Sequence, residues 1–226
     1  MKDLTLSKFF PAPTITISSD GVKTYSYRRD WTEVKISHIP PGVSIAPHSH
    51  QEAQAGMVIS GELEMTVGDV TKVMQPERIA YVVPPFVTHS ARNTSDHETV
   101  AIDIKRYKPD EKYDAPPGYF LEPIESRKLI TLDVTFFLAN WIELMIAQIP
   151  GEGGEMPYHK HIQEQIGVCL DGEYEMNIEG ETCIMKRGTT YFCDSREYHG
   201  AINRNKQPSR SLNIFFPPRY HRVAKR

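Results

Sequence analysis

The chain has 226 residues, of which 39% are hydrophobic and 24% are charged, so a packed core is expected. The net charge is −3 and no basic stripe is interleaved with aromatic residues, which argues against a nucleic-acid partner. The first ten residues lack an apolar signal-peptide region, and the stretch 134–149 is too short and polar to span a membrane. With three cysteines and no close-spaced pair, a cytoplasmic location is expected.

The sequence repeats itself after about 110 residues, which indicates a duplicated domain because solenoid repeats are shorter. Five residues recur at an offset of 110: Trp31, Glu33, Ile36, Ile39 and Pro40 are repeated as Trp141, Glu143, Ile146, Ile149 and Pro150. Five more recur at an offset of 111: Gly42, His48, His50, Gln54 and Gly61 are repeated as Gly153, His159, His161, Gln165 and Gly172. A third set recurs at 110 as Tyr191, His199 and Asn203, from Tyr81, His89 and Asn93.

The sequence of each repeat predicts β structure. In chain order, runs rich in β-branched or aromatic residues predict strands at 62–67, 80–83, 100–104, 174–178 and 211–216. The segment 163–170 has some helical character but lies within a strand-rich block. A proline-rich, aperiodic stretch at 108–123 predicts a linker, so the domains are expected at 1–112 and 113–226. Regularly spaced short strands predict a sandwich or a barrel in each domain.

Two histidines two residues apart on a strand point to the same face. His48 and His50 should therefore converge, and Gln54 has the same parity and can join them if the chain stays extended or turns back. His89 follows on a later strand, which an antiparallel barrel would bring alongside the first. The second repeat predicts the same set again, with the residues His159, His161, Gln165 and His199.

Three imidazoles and one amide oxygen suit a divalent transition metal, and they leave positions open for substrate or water. Pairs of histidines can also be ordinary surface residues. Here, however, six of the nine histidines fall at repeat-equivalent positions, each set with a glutamine at the same step. We therefore predict two metal sites, with Fe(II) or Co(II) favoured and other transition metals possible.

In the spacing of these histidines and glutamines, the chain resembles the cupin family. The spacing G-x5-H-x-H-x3-Q-x6-G at 42–61 and 153–172 is similar to the first cupin motif, with glutamine where the family usually has glutamate. The second motif, P-x-G-x2-H-x3-N, is matched in part, with Phe86 and Arg196 in the glycine position. The resemblance implies an all-β fold with two tandem cupin barrels, each a double-stranded β-helix.

A closer resemblance covers nearly the whole chain and includes the segments 56–70, 101–106, 151–161 and 213–220. These segments look like the bicupin isomerases of bacilysin biosynthesis. The resemblance implies a metal-dependent isomerase that acts on a small 2-oxo acid, dihydro-4-hydroxyphenylpyruvate (H2HPP). It implies that the enzyme moves a ring double bond from an endocyclic to an exocyclic position.

The reaction needs a proton carrier and a partner for the substrate carboxylate. Tyr220 is the first candidate for contact with the substrate and for catalysis, because its segment follows the last strand and the resembled isomerases have a tyrosine there. Arg219 is a candidate for carboxylate binding. We expect the second barrel to be catalytic, although Arg106 and Tyr107 end the first repeat in a similar way.

Two other functions stay open at this level. Bicupins include metal-dependent dioxygenases, which usually carry a carboxylate ligand, and non-catalytic proteins that bind small ligands. The glutamines argue mildly against the first alternative and the two complete ligand sets argue against the second. The oligomeric state, a homodimer or a monomer, is not determined by these patterns.

Overall fold

The structure is a computed structural model that describes residues 7–114 and 118–219. Within these ranges, no helix is long and apolar enough to cross a membrane. The secondary structure consists of strands, which divide into two barrels.

The first barrel contains eleven strands in two sheets. The strands are β1 Thr14–Ile17, β2 Lys23–Arg29, β3 Thr32–Ile39, β4 Ser44–His48, β5 Ala53–Ser60, β6 Leu63–Val67, β7 Val70–Met74, β8 Ala80–Val83, β9 His89–Arg92, β10 Thr99–Arg106 and β11 Phe120–Leu121. A seven-stranded sheet has the order β1-β2-β3-β10-β5-β8-β11, and a four-stranded sheet has the order β4-β9-β6-β7. All of these neighbours pair antiparallel.

The second barrel repeats this plan with ten strands. They are β12 Glu125–Leu129, β13 Leu132–Leu138, β14 Glu143–Ile149, β15 Gly154–His159, β16 Glu164–Asp171, β17 Glu173–Ile178, β18 Glu181–Lys186, β19 Thr190–Cys193, β20 His199–Asn203 and β21 Ser209–Phe216. Its sheets have the orders β12-β13-β14-β21-β16-β19 and β15-β20-β17-β18. Two antiparallel sheets in each half confirm the predicted all-β, two-barrel fold class.

The predicted strands correspond to β6, β8, β10, β17 and β21, with ends that differ by up to two residues. Their β-branched and aromatic residues made these strands predictable, and in one of them the burial also alternates. In β6, Leu63, Met65 and Val67 are buried while Glu64 and Thr66 are partly exposed, as expected for a strand with one face on a core. The segment with mixed character, 163–170, lies mostly within β16, a strand whose residues from Gln165 to Leu170 are all buried.

The two compact units differ from the predicted ranges at three places. Of the described residues, one unit comprises 13–114, 118–122 and 139–141, and the other comprises 7–12, 123–138 and 142–219. Residues 118–122 join the first unit because β11 pairs with β8. The N-terminal segment joins the second unit because Phe9 and Phe10 pack in its core, and Phe192 N donates a hydrogen bond to Phe9 O at 2.8 Å.

This packing predicts that the second barrel depends on Phe10, whose side chain is only 3% exposed. Phe10→Ala should lower the free energy of unfolding by about 3 kcal/mol, because it removes a buried aromatic ring from the core. Urea unfolding measures this loss, and hydrogen exchange at the Phe192 amide should accelerate. Ile17→Ala, at a side chain that is 69% exposed, is the matched control. Equal effects of the two substitutions would contradict the assigned packing.

Candidate metal centres

Three histidine rings of the first barrel come together, with His89 buried and His48 exposed. His48 ends β4 and His89 begins β9, and the two residues are direct partners across these antiparallel strands. His50 lies beyond the end of β4, in the turn that leads into β5. The ring centroids are 4.3 Å apart for His48 and His89, 4.9 Å for His50 and His89, and 5.8 Å for His48 and His50. The sequence placed His50 on the same strand as His48, whereas a turn supplies it.

The second barrel reproduces this cluster with small differences. His159 and His199 are partners across β15 and β20, and His161 follows in the next turn. The centroid distances are 4.5 Å, 4.8 Å and 5.6 Å for the equivalent pairs. In each triad, one nitrogen from every histidine lies within 4.8 Å of the others. Both triads therefore present three ligand atoms to a common point.

Backbone carbonyls fix the orientation of all six rings. Each Nδ1 lies 2.7–3.0 Å from a carbonyl oxygen, and a carbonyl can only accept, so Nδ1 carries the hydrogen. Nε2 is then left with its lone pair toward the centre of each triad. This arrangement, in which a second hydrogen bond sets the tautomer, is typical of histidine metal ligands. The acceptors are Ala46, Glu52, Val87, Pro157, Gln163 and Glu197.

The two glutamines complete the donor sets from the adjacent strands β5 and β16. Gln54 Oε1 lies 3.0 Å from His50 Nε2, and Gln165 Oε1 lies 2.9 Å from His161 Nε2 and 3.1 Å from His199 Nε2. With the hydrogens on Nδ1, these are contacts between acceptors, which a shared cation would stabilise. Two ligands at right angles, each about 2.1 Å from a metal, are about 3.0 Å apart.

The residues therefore fit a divalent metal ion in each barrel. The strongest single sign is His89, which is 3% exposed and whose Nε2 is buried without a hydrogen-bond partner in the described residues. Burial lowers the pKa of His89 to about 4 and that of His199 to about 4. Burial, followed by the charge of Arg219, lowers the pKa of His161 to about 3. These rings are neutral at pH 7 and their lone pairs are available to a metal.

A tyrosine and one further polar residue hold each glutamine. Gln54 Nε2 donates to Tyr81 Oη at 2.8 Å and to Asp103 Oδ1 at 2.9 Å, and Tyr81 donates a short hydrogen bond to Asp103. Because the amide nitrogen is occupied, Oε1 must face the histidines. In the second barrel, Gln165 Nε2 donates in the same way to Tyr191 and to Asn213.

Sequence reasoning did not assign a role to the residues that hold the glutamines. We call them the supporting layer, and they are Tyr81, Asp103, Tyr191 and Asn213. The repeat did pair Tyr81 with Tyr191, and strand parity places Asp103 and Asn213 on the inner face, so a signal was present. A glycine makes room for each tyrosine. A Cβ atom on Gly167 would lie 2.0 Å from Cε1 of Tyr191, and one on Gly56 would lie 2.7 Å from the hydroxyl of Tyr81.

The loop before the last histidine keeps one shape in both barrels although it lacks the motif glycine. Phe86 and Arg196 adopt positive φ angles of 63° and 67°. Their amides donate to His50 O at 2.8 Å and to His161 O at 2.7 Å. The hydrogen bonds hold a conformation that normally favours glycine, and so they tie this loop to the turn that carries the second histidine.

A cavity of about 330 Å³ opens beside the second triad, within the size range of small-molecule pockets. His159, Gln165 and His199 form its polar wall. The rest is mainly apolar and includes Leu132, Met145, Met156, Tyr174, Met176 and Phe215. A ligand with an apolar ring and a polar head could place the head at the histidines and the ring among these side chains.

Arg219 lies in the wall of this cavity, as its predicted role in substrate binding requires. Its guanidinium carbon is 4.9 Å from the centroid of the Phe215 ring, and its backbone N–H donates to Glu143 Oε2 at 2.6 Å. Tyr220, the predicted catalytic residue, lies outside the described residues.

Arg106 does not serve as the counterpart of Arg219, so the similarity between the two repeat ends was misleading. Its side chain is 1% exposed and forms two hydrogen bonds of 2.7 Å to Glu111 and one of 2.8 Å to Thr32. Residue 106 also has the opposite parity to Asp103 on β10, so it points away from the inner face.

Fold and site together define a duplicated β-barrel protein in which each half carries three histidines and a glutamine that could hold a divalent metal ion. A family model described as "Cupin domain" matches residues 35–105 and 145–215. The chain belongs to the cupin family.

The chain is also similar to named proteins over nearly its full length. It is 54% identical over 216 residues to "H2HPP isomerase" of Bacillus subtilis, covering 95% of this chain and 92% of that protein. The structure of AerE from Microcystis aeruginosa is 28% identical, with a TM-score of 0.88, and covers 94% of this chain and 100% of its own. Oxalate decarboxylase of Lactobacillus farciminis shares the fold at 14% identity and a TM-score of 0.79, over 95% of this chain and 88% of its own.

The supporting layer predicts that the two barrels tolerate a glutamate in place of the glutamine ligand to different extents. In metal-free protein, Gln54→Glu would place a second carboxylate beside Asp103, and the repulsion and lost donor should cost about 1–3 kcal/mol of unfolding free energy. Gln165→Glu should cost less, because Asn213 can rotate to donate its amide. Urea unfolding in chelator measures both variants.

Asp103→Asn is the rescue control for this comparison. Combined with Gln54→Glu, it should restore stability to the level of Gln165→Glu. Equal losses for Gln54→Glu and Gln165→Glu, or failure of the rescue, would show that the Asp103 charge does not govern the choice of glutamine.

Proposed function

We propose that this protein is a metal-dependent isomerase that converts endocyclic H2HPP to its exocyclic isomer in bacilysin biosynthesis. The observation that carries the proposal is the 54% identity to H2HPP isomerase over 95% of the chain and 92% of that relative. The cavity beside the second triad supports it, because the substrate combines a six-membered ring with a 2-oxo acid. The expected cytoplasmic location belongs to the same proposal.

We place the reaction in the second barrel. The cavity there combines an apolar wall with Arg219, and a guanidinium can pair with the substrate carboxylate through two hydrogen bonds. Phe215 is positioned to contact both the guanidinium and the substrate ring. Burial of the ring among Met145, Met156 and Phe215 would exclude water and fix the orientation of the reacting carbon atoms.

His159, His161, His199 and Gln165 would hold a divalent metal, for which we favour Fe(II) or Co(II), with the equivalent set as a second site in the first barrel. When bound, the metal supplies Lewis acidity toward the keto oxygen of the substrate, which acidifies the adjacent C3 protons. Because Gln165 is neutral, this donor set does not reduce the positive charge that faces the substrate. The shift needs no change of oxidation state.

Proton transfer needs a group at the cavity. Tyr220, one residue beyond Arg219 in sequence, is the proposed proton carrier. Tyr191 is unsuited, because burial raises its pKa and its hydroxyl already bonds to Gln165 and Asn213. The carrier removes a proton from C3 and a proton is added at the far end of the conjugated system, so the formula of the substrate is unchanged.

The first test is a direct assay of the purified protein with endocyclic H2HPP. Ultraviolet absorbance should shift to longer wavelength as the exocyclic, conjugated product forms. A chelator should stop the reaction, and dissolved oxygen should stay constant. Oxygen uptake would favour the dioxygenase alternative, and metal binding without any turnover would favour a ligand-binding protein.

Equivalent histidine substitutions test which barrel works. His161→Ala should lower kcat by at least a hundredfold, because it removes a ligand from the catalytic centre, whereas His50→Ala should retain more than a third of the activity. Metal analysis by mass spectrometry should show about one ion lost from each variant. Loss of activity in His50→Ala with an intact second site would move the reaction to the first barrel.

Arg219→Met should act mainly on substrate binding. Loss of a charged hydrogen bond of about 1.5–3 kcal/mol corresponds to a rise in KM of about 10- to 150-fold. The metal content should remain unchanged. Arg196→Met is a control that also removes one arginine from the second barrel. An unchanged KM in Arg219→Met would remove the guanidinium from the carboxylate-binding role.

A further inference from the structure

One tyrosine in the wall of the second-barrel cavity has a buried hydroxyl without a hydrogen-bond partner. Tyr174, on β17, lines the cavity beside the second triad, and it is only 2% exposed. Its Oη atom has no partner among residues 7–114 and 118–219. Buried polar groups are nearly always hydrogen-bonded, and an unpaired one costs free energy. An unpaired hydroxyl in the wall of a ligand cavity therefore points to a polar group on the ligand.

A second hydroxyl, that of Ser211 on β21, lies beside this phenol. Burial, followed by the nearby Tyr191 and Cys169, raises the pKa of Tyr174, whereas the Ser211 hydroxyl lowers it. The two hydroxyls are thus neighbours, although they do not reach hydrogen-bonding geometry. Ser211 also lines the cavity, and its Oγ accepts a hydrogen bond from Asn213 Nδ2 at 3.0 Å. The phenol stays protonated near pH 7, and both hydroxyls can donate to a ligand.

The first barrel has apolar residues at the two matched positions. In the strand registers, Leu63 takes the place of Tyr174 and Ala101 takes the place of Ser211. Both are buried in the core of the first barrel. The same barrel plan therefore folds without hydroxyls at these two positions, which argues that the hydroxyls of the second barrel serve a ligand.

An amide side chain connects these hydroxyls to the second metal centre. Gln165 Nε2 donates to Asn213 Oδ1 at 3.2 Å, and Asn213 Nδ2 donates onward to Ser211. Ser211 is two residues from Asn213 on β21, a step of about 7 Å, which is close to the span of a substituted six-membered ring. A ligand whose polar head lies at the triad therefore meets the two hydroxyls with its far end.

We propose that Tyr174 and Ser211 form a subsite that recognises a hydroxyl group on the ring of the ligand. The inference rests on the proposed function, in which the ligand is a ring-bearing 2-oxo acid, and it adds a determinant of specificity. The 2-oxo acid faces the triad and Arg219, and the hydroxyl at the opposite end of the ring bonds to Tyr174 and Ser211. A ring without this hydroxyl would leave the phenol unpaired, so the subsite selects hydroxylated rings.

Binding of two aromatic analogues that cannot undergo the ring isomerisation tests the proposal. 4-Hydroxyphenylpyruvate carries the hydroxyl and phenylpyruvate lacks it, and calorimetric titration of the metal-loaded protein gives both dissociation constants. The original protein should prefer the hydroxylated ligand about tenfold. Tyr174→Phe, which removes only the oxygen atom, should abolish most of this preference by weakening the hydroxylated ligand alone. Ser211→Ala should reduce the preference by a smaller factor.

Unfolding of the ligand-free variants separates recognition from a structural role. Tyr174→Phe should not lower the free energy of unfolding, because the lost hydroxyl had no partner. Tyr191→Phe is the matched control, since it removes a buried hydroxyl of the same cavity wall that already bonds to Gln165 and Asn213. It should change both affinities by the same factor. A loss of stability in Tyr174→Phe as large as that in Tyr191→Phe would overturn the proposal.

The outcomes also separate this subsite from the proposed reaction. With endocyclic H2HPP, Tyr174→Phe should raise KM about tenfold and lower kcat by less than about threefold. An equal preference in the original protein, Tyr174→Phe and Ser211→Ala would overturn the subsite even if the protein isomerises H2HPP. A preference that Tyr174→Phe abolishes, in a protein without H2HPP turnover, would support the subsite and reject the isomerase.

Discussion

The pairing of one histidine-bearing strand with another is the constraint on which both centres depend. His48 faces His89 across β4 and β9, and His159 faces His199 across β15 and β20. Direct partners in an antiparallel pair have Cβ atoms about 4.5–5.5 Å apart, which brings two imidazoles to one point without any loop contribution. A shift of the register by one residue would turn one ring to the opposite face of its sheet. The third histidine, the glutamine and the backbone carbonyls are all arranged around this fixed pair.

Around that pair, hydrogen bonds hold the side chains of each centre in fixed orientations. Carbonyl oxygens set the histidine tautomers, and a tyrosine with a neighbouring aspartate or asparagine sets the glutamine. The two halves first differ in charge in the supporting layer that holds the glutamines. Asp103 is partly buried and desolvation raises its pKa, whereas Asn213 has no charge at the same place. A protein that keeps the ligands identical can still adjust the properties of each metal centre through the groups behind them.

The divergence continues along the inner faces. Phe215, Met145 and Arg219 give the second barrel an apolar cavity with one guanidinium, which suits a ring-bearing 2-oxo acid. In the first barrel, Lys105 and Lys35 occupy the positions of Phe215 and Met145, where they pair across strands with Glu33 and Asp103. The two halves thus keep the same histidines and glutamine, while different residues on two neighbouring strands change what can approach them.

The sequence by itself determined the duplication, the all-β class and the eight residues of the two donor sets, because the repeat and strand parity are local patterns that survive in one dimension. It also offered Arg219 as a candidate carboxylate partner, and the structure places this residue in the wall of the cavity. It did not reveal that a turn supplies His50 and His161, that Phe9 and Phe10 belong to the second core, or that Arg106 points away from the inner face. Only the tertiary structure decided these points, together with the hydrogen bonds by which Tyr81 and Asp103 hold Gln54. The physical reason is that cross-strand register joins residues 23 to 74 positions apart, and no local periodicity records which of them become partners.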